Sequence, residues 1–469
     1  MSGTAAYPAG RAATRGQEGR GILDRILGIF ADVQNGEGVT AILLMLNIFL
    51  LLASYYLLKT IREPLILTQK GGAEVKSYAA AAIAGVLIVL VPVYSALASR
   101  VSRVKLINGV TMFFIGCLVA FFLADKAGYA VGTAFFIWVG IFNMMVIAQL
   151  WAFANDVYTV EQGKRLFAIV GFGASLGAIA GSFVTGHLVE RFGPYPFMLA
   201  AAGLLGLCMI LTNIVNLRER KRARERPETP PEASQTPGAR AAEAKAPAAS
   251  SEDKGIKGKS GFSLVLSNKY LLLIACLMVL ANLVNTTGEY ILSKTVVGAM
   301  AHGAAAVDEK KIIGAFYGNY FTIVNIVSAL IQAFVVSRVI KWFGVRTALM
   351  VLPFVALVGY ASMAFVPVLA FIRTAKIAEN SLDYSLQNTT RNALYLPTSR
   401  EAKYKAKQAN DTFFVRLGDV LSAGLVLAGT TWLAFGPRQF ALVSLVLILV
   451  WLVIAFTLGK KFQSLAQSN

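Results

Sequence analysis

Metal-ligating and redox residues are scarce in this chain of 469 residues, which has three cysteines and two histidines. Cys117, Cys208 and Cys276 each lie inside an apolar run, and His187 and His302 are far apart with no other ligand types beside them. That pattern gives neither a disulfide framework nor a zinc site. No nucleophile sits beside a base, so an enzyme is not expected and no cofactor is implied. Charge is also scarce: Asp, Glu, Lys and Arg together make 15% of the residues, against 56% hydrophobic. The apolar residues come in runs of roughly 18 or more, longer than a soluble core needs and long enough to cross a bilayer. The formal charge of +19 does not imply a nucleic-acid partner. The lysines and arginines collect between the apolar runs, as membrane topology demands.

Residues 1–38 are rich in Gly, Ala and Arg and have no early apolar core, so they do not read as a cleaved secretory signal. Ile22, Leu23, Ile26, Leu27 and Phe30 recur at helical spacing beside Asp24 and Arg25. They predict a short amphipathic helix on the membrane surface. Apolar spans are expected near 39–61, 78–98, 106–123, 133–154, 166–189 and 196–216. A second set is expected near 269–292, 312–337, 346–363, 365–388, 413–435 and 439–458. The fold class is therefore an all-α membrane protein of about twelve transmembrane helices. Its expected units are the segment 1–38, a six-helix bundle over 39–217, a tether over 218–262 and a second bundle over 263–469. The tether opens on Arg218 to Arg226 and is rich in Pro and Ala. Too little of it is apolar to offset its ordering entropy, so disorder is expected.

Counting Lys and Arg loop by loop gives 24 on the side of the tether and 9 on the other, which predicts both termini and the tether in the cytoplasm. An internal repeat supports the division. Tyr56-Leu57-Leu58-Lys59-Thr60 is echoed by Tyr290-Ile291-Leu292-Ser293-Lys294-Thr295, and Ser99-Arg100-Val101 by Ser337-Arg338-Val339. Glu161 before Lys164 and Arg165 is echoed by Glu401 before Lys403 and Lys405. Matches in order at a nearly constant offset argue for two pseudo-symmetric halves of the major-facilitator type, with a substrate site between them near the midplane.

The most informative stretch runs from Pro367 to Lys407. Arg373, Lys376, Asn380, Asp383 and Gln387 fall at helical steps and form one polar stripe, with Glu379 beside it. Each charge at a bilayer centre costs about 2.5–3.5 kcal/mol on insertion scales, so the stripe cannot face lipid. It must line water or pair with other helices. The first span adds Lys59, Arg62 and Glu63, and the seventh adds Asn282, Asn285, Thr286, Glu289 and Lys294. Asn143, Gln149 and Asn155 lie on the fourth span, and Arg416 and Asp419 open the eleventh. From these the expected substrate-binding set is Lys59, Arg62, Asn155, Asn285, Glu289, Lys294, Arg373, Lys376, Asn380, Asp383 and Arg416. Glu63, Glu379 and Asp419 are expected in coupling or gating, and no metal site is expected. Gly173, Gly177 and Gly181 form a GxxxGxxxG face, which is read as helix packing and not as a dinucleotide fingerprint.

Leu150-Trp151-Ala152-Phe153-Ala154-Asn155, Thr159-Val160-Glu161, Lys164-Arg165-Leu166-Phe167 and Gly171-Phe172-Gly173-Ala174 together resemble the nucleotide transporter family, the ATP/ADP translocases of plastids and intracellular bacteria. The resemblance recurs at Asn282-Leu283-Val284, Tyr384-Ser385-Leu386, Arg391, Tyr395-Leu396-Pro397 and Lys405-Ala406-Lys407, and at Tyr56-Leu57-Leu58-Lys59 with Arg62-Glu63. It implies a major-facilitator-like antiporter with a small anionic substrate, ATP and ADP among the candidates. It also implies a multi-pass protein of a bacterial cytoplasmic membrane, expected as a monomer whose other partner is the lipid bilayer. The chain departs from the family at charged positions. The family's first-helix substrate lysine falls at Arg62, its acids of the fourth and seventh helices near Val139 and Asn285, and its eleventh-helix lysine at Asp419. The resemblance thus bears on fold and transport class more than on exchange of ATP for ADP. The competing expectations are a proton-coupled carrier of another polar solute and a membrane-integral interaction or sensory protein.

Overall fold

A lipid interior offers no partner to a backbone N–H or C=O, so each apolar run satisfies its backbone groups by becoming a helix. The computed structural model describes residues 37–98, 100–158, 160–225, 260–300 and 306–468. The expected amphipathic helix near Ile22 and most of the tether lie outside the described residues. The first half comprises α1 (Glu37–Leu67), α2 (Gly72–Ala98), α3 (Arg103–Lys126), α4 (Gly132–Val157), α5 (Val160–Phe192) and α6 (Pro196–Glu225). A short helix, Gly261–Ser267, leads into α7 (Lys269–Met300) and the second half. Then α8 runs from Ala306 through a π turn at Ile331–Val335 to a break at Gly344, where φ is 76°. Past the break, α9 occupies 345–365. The last three are α10 (Leu369–Leu382, continued through a π turn at Asp383–Gln387 to Ala393), α11 (Ala402–Thr431) and α12 (Pro437–Ser468).

Among the described residues, ten helical segments are long and apolar enough to cross a membrane. One of them, Glu309–Phe365, is 57 residues long and holds both α8 and α9. Its division gives an eleventh span, and α10, too polar for that criterion, is the twelfth. The protein is a multi-pass integral membrane protein. Helix ends overrun the expected spans in three places that matter. The first residues of the basic run continue α6 as far as Glu225, Gly261–Ser267 is helical, and α2 starts six residues before the expected 78.

Small residues set the closest helix contacts. A Cβ on Gly173, Gly177 or Gly181 would collide with the carbonyl oxygens of Met45, Phe49 and Ala53, so α5 lies backbone to backbone on α1. Only a glycine face permits this approach. Between the halves, α5 meets α8 in the same way at Gly186 and Gly318. The first half is otherwise packed with rings: Trp138 stacks with Phe135 and Phe142, and Phe114 meets Trp138 and Phe142 edge-on.

Contacts that join the halves run from the midplane toward the face opposite the tether. Asn325 of α8 bonds Ser182 of α5, Lys294 of α7 bonds Glu74 of α2, and Lys310 of α8 bonds Tyr195 just before α6. These contacts close the halves together on that face.

Candidate functional site

Between the halves lies a cavity of about 260 Å³ walled by α1, α2, α4, α7, α8, α10 and α11. The first half supplies Lys59, Arg62 and Glu63 from α1, which share a wall because they are three and four residues apart. Lys76, Ala80 and Ile83 come from α2 at the same helical spacing. The second half supplies Asn282, Asn285 and Glu289 from α7, Asn380 and Tyr384 from α10, and Arg416 and Asp419 from α11.

Lys59 is 7% exposed, and its ammonium lies 4.5 Å from the ring centre of Phe321, 4.9 Å from Tyr56 and 5.4 Å from Tyr384. It donates to the Tyr384 hydroxyl at 3.3 Å, and among the described residues no carboxylate lies within ion-pairing distance of it. Ring quadrupoles partly offset the burial of a cation without neutralising it. Arg62, bound to Glu63 at 3.1 Å, lies over Phe136. Arg416 pairs with Asp419 at 3.0 Å, and Asp419 also accepts from Asn282 and Thr286 at 2.8 Å each.

A chain of alternating charges crosses from one half to the other beside the cavity. Lys76 bonds Glu63 at 2.7 Å and Ser293 at 3.0 Å, and stands 3.8 Å from Glu289. Glu289 accepts from Asn380 at 2.9 Å and lies 3.7 Å from Lys376, which bonds Glu379 at 2.8 Å. Each charge has an opposite neighbour, which is the condition for keeping ions inside a membrane protein. The cavity wall itself is not balanced. Lys59, Arg62, Lys76 and Arg416 oppose Glu63, Glu289 and Asp419, leaving one positive charge in excess.

Of the residues expected from the sequence, Lys59, Arg62, Glu63, Asn285, Glu289, Asn380, Arg416 and Asp419 are brought together in this wall. The others are elsewhere. Lys376 is fully buried behind α7 and Glu379 is 3% exposed, so both sit in the protein interior. Arg373 lies over the ring of Phe316, and Asp383 faces Arg391 at 3.5 Å. Lys294 is exposed and held by Glu74 at 2.6 Å, so the repeat that matched it to Lys59 does not make the two lysines equivalent. Asn155 is exposed at the end of α4, next to the Asp156 that pairs with Arg103. Of the stripe, Asn380 is in this wall, whereas Lys376 pairs with Glu379 and stands by Glu289 of α7, so lining water and pairing with other helices both occur. The polar face of α10 is divided because its neighbour α7 is itself polar and offers partners inside the half.

Sequence reasoning missed Lys76, Tyr384 and the rings of Tyr55, Phe136 and Phe321. Lys76 was expected in a loop because the apolar run begins at Tyr78. The available signal was its spacing to Ala80 and Ile83, which extends that run's helical face by one turn.

Comparison with known proteins bears on the class. The Major Facilitator Superfamily model matches residues 40–377. A protein named ADP,ATP carrier protein 1 from Chlamydia pneumoniae is 25% identical over 371 residues, covering 70% of this chain and 66% of its own length. The chain thus spans just under two thirds of that relative. The structure of the nucleoside transporter NupG matches 91% of this chain and 98% of its own with a TM-score of 0.58 at 14% identity. A bacterial homologue of the iron transporter ferroportin, in an inward-facing state, matches 90% and 98% with a TM-score of 0.58 at 12% identity. These two show the fold alone.

Proposed function

The chain belongs to the major facilitator superfamily and is a membrane transporter, and from that premise we propose that it carries a nucleotide or a related phosphorylated metabolite by alternating access. The observation that carries the proposal is Lys59. A cation buried at the meeting of the two halves, surrounded by rings and without a carboxylate partner among the described residues, is a preformed receptor for an anionic group. Arg62 stands one turn away, and Tyr384 and Phe321 offer flat apolar faces to a ring. The ADP,ATP carriers among the relatives favour a nucleotide, and exchange of one nucleotide for another is the mode proposed for this chain.

The lysine and arginine bias supports a cytoplasmic side for the tether, and the resemblance to the nucleotide transporters supports a bacterial inner membrane. The halves are joined on the opposite face, which favours entry to the cavity from the cytoplasm. Along α1 the wall presents Lys59, then Arg62 and Glu63 toward the face where the halves are joined. Transport requires the far-side contacts to part while the cytoplasmic ends close. The break falls at Lys76 and Glu289, because Lys76 keeps Glu63 in its own half and Glu289 keeps Lys376 and Asn380 in the other. Neither half is left with an unmatched buried ion, which keeps the opening step shallow.

Glu289 favours a second reading, a proton-coupled carrier of another polar solute. It is a carboxylate in the cavity wall at the junction of the halves, and neutralising it would remove the link to Lys76. Purified protein in liposomes preloaded with ADP separates the readings. Uptake of labelled ATP against the preloaded ADP supports the first; no counterflow with any nucleotide, with uptake of another solute driven by a pH gradient, overturns it in favour of the second.

A further inference from the structure

Lys376 shows how the cavity acquires a defined hydrogen-bonding edge. Its ammonium has three N–H donors. They are taken by the side-chain oxygen of Asn285 at 2.7 Å, the backbone oxygen of Asn285 at 3.2 Å and Glu379 at 2.8 Å. None is left for a substrate, and the residue is 0% exposed. An ammonium can only donate, so the amide of Asn285 must turn its oxygen toward Lys376. Its NH₂ group is then the free end in the cavity wall.

Asn282, one turn earlier on the same face of α7, is held the opposite way round. Its NH₂ gives hydrogen bonds to the backbone oxygen of Val415 at 2.7 Å and to Asp419 at 2.8 Å. Both partners are acceptors, so the amide oxygen of Asn282 is its free end in the same wall. The two residues are three apart, which places their side chains about 5–6 Å from each other.

We propose that α7 presents a fixed acceptor at Asn282 and a fixed donor at Asn285, which together read a substrate group carrying a donor and an acceptor on one edge, such as a carboxamide or an amino-substituted nitrogen heterocycle. Lys376 is the positioning residue that sets the polarity of Asn285. A freely rotating amide would accept either edge and discriminate poorly; a pinned one leaves a buried group unmatched when the wrong edge arrives. The proposal rests on the reading of this cavity as the substrate site. It assigns the neutral head of the substrate to α7 and leaves the anionic part to Lys59 and Arg62.

The test compares the affinities of ATP, tripolyphosphate and adenosine for the full-length protein in detergent, measured by calorimetry. Tripolyphosphate carries the anion without the edge, and adenosine the edge without the anion. Asn285→Asp keeps an oxygen for Lys376 but replaces the donor in the cavity with an acceptor. Its added charge acts on ATP and tripolyphosphate alike, so their affinity ratio isolates the edge. That ratio should fall by about tenfold, the worth of one good hydrogen bond. Lys376→Met combined with Glu379→Leu removes the pin without stranding a charge, and should lower the same ratio severalfold while tripolyphosphate binds as before. An unchanged ratio in Asn285→Asp overturns the proposal, as does wild-type protein that binds tripolyphosphate as tightly as ATP; the second result leaves the anion site standing. Binding of adenosine without tripolyphosphate overturns the anion site instead, and the edge is then supported if Asn285→Asp weakens adenosine. Binding of none of the three overturns both.

Discussion

The fourth helix of each half occupies the matching place in the repeat, yet α4 and α10 solve different problems. From Gly132 to Asn155, α4 carries no charge, and its buried side is a stack of rings built on Phe135, Trp138 and Phe142. Over a comparable stretch α10 carries Arg373, Lys376, Glu379 and Asp383 and buries two of them completely or nearly so. The first half therefore packs α4 by shape and keeps its ions, the buried pair Glu63 and Lys76 among them, on α1 and α2 beside the cavity. The second half uses charge as part of its own core. Packing by shape should be broken by added volume, and a core held by ions should be broken by an unmatched charge.

The largest effect is expected from Lys376→Met alone, which leaves Glu379 buried without its partner and costs about 3–5 kcal/mol. The yield of folded protein should collapse, and Glu379→Leu added to it should restore most of the thermal stability. Equal stability of the single and double variants would show that the second half is not held by this pair. Gly177→Leu is the matching experiment in the first half. The added side chain has to enter where Phe49 presents its carbonyl oxygen, and overpacking of this kind costs about 1–3 kcal/mol. Gly203→Leu on α6, where nothing lies within 4 Å of the new Cβ, is the control and should melt near the wild-type temperature. Gly193 is less suitable, because its φ of 71° strains any side chain whatever the space.

Lys59→Gln sharpens the contrast from the functional side. It removes a cation that no carboxylate among the described residues holds, so thermal stability should stay within about 1 kcal/mol of wild type. Apparent affinity for ATP in counterflow should fall by about tenfold, or ~1.4 kcal/mol. A loss of stability with unchanged affinity would move Lys59 from the site to the core. The smallest effect belongs to Lys294→Gln. Its pair with Glu74 is half exposed on the lysine side, and such pairs are worth about 0–1 kcal/mol. Uptake and melting should both remain close to wild type, in contrast to the neighbouring Lys76.

Hydropathy, loop charge and repeat offsets were enough to read the membrane-spanning class, the number of helices and the major-facilitator plan from the chain. The first two are statements about single segments against lipid and water, which the bilayer imposes on every segment independently, and the third compares one half of the chain with the other. Most of the charged and amide residues of the cavity were also legible, because an ion in an apolar run needs a reason wherever the run lies. The partner of each ion was not legible. Lys59 and Lys294 occupy matching places in the repeat, yet one is buried among rings and the other exposed on a salt bridge. Lys376 looked like a cavity residue by its spacing to Asn380, and only the approach of α7 placed Asn285 over its ammonium. A helix determines which residues share a face; the neighbour that packs on that face decides whether they meet a substrate or one another.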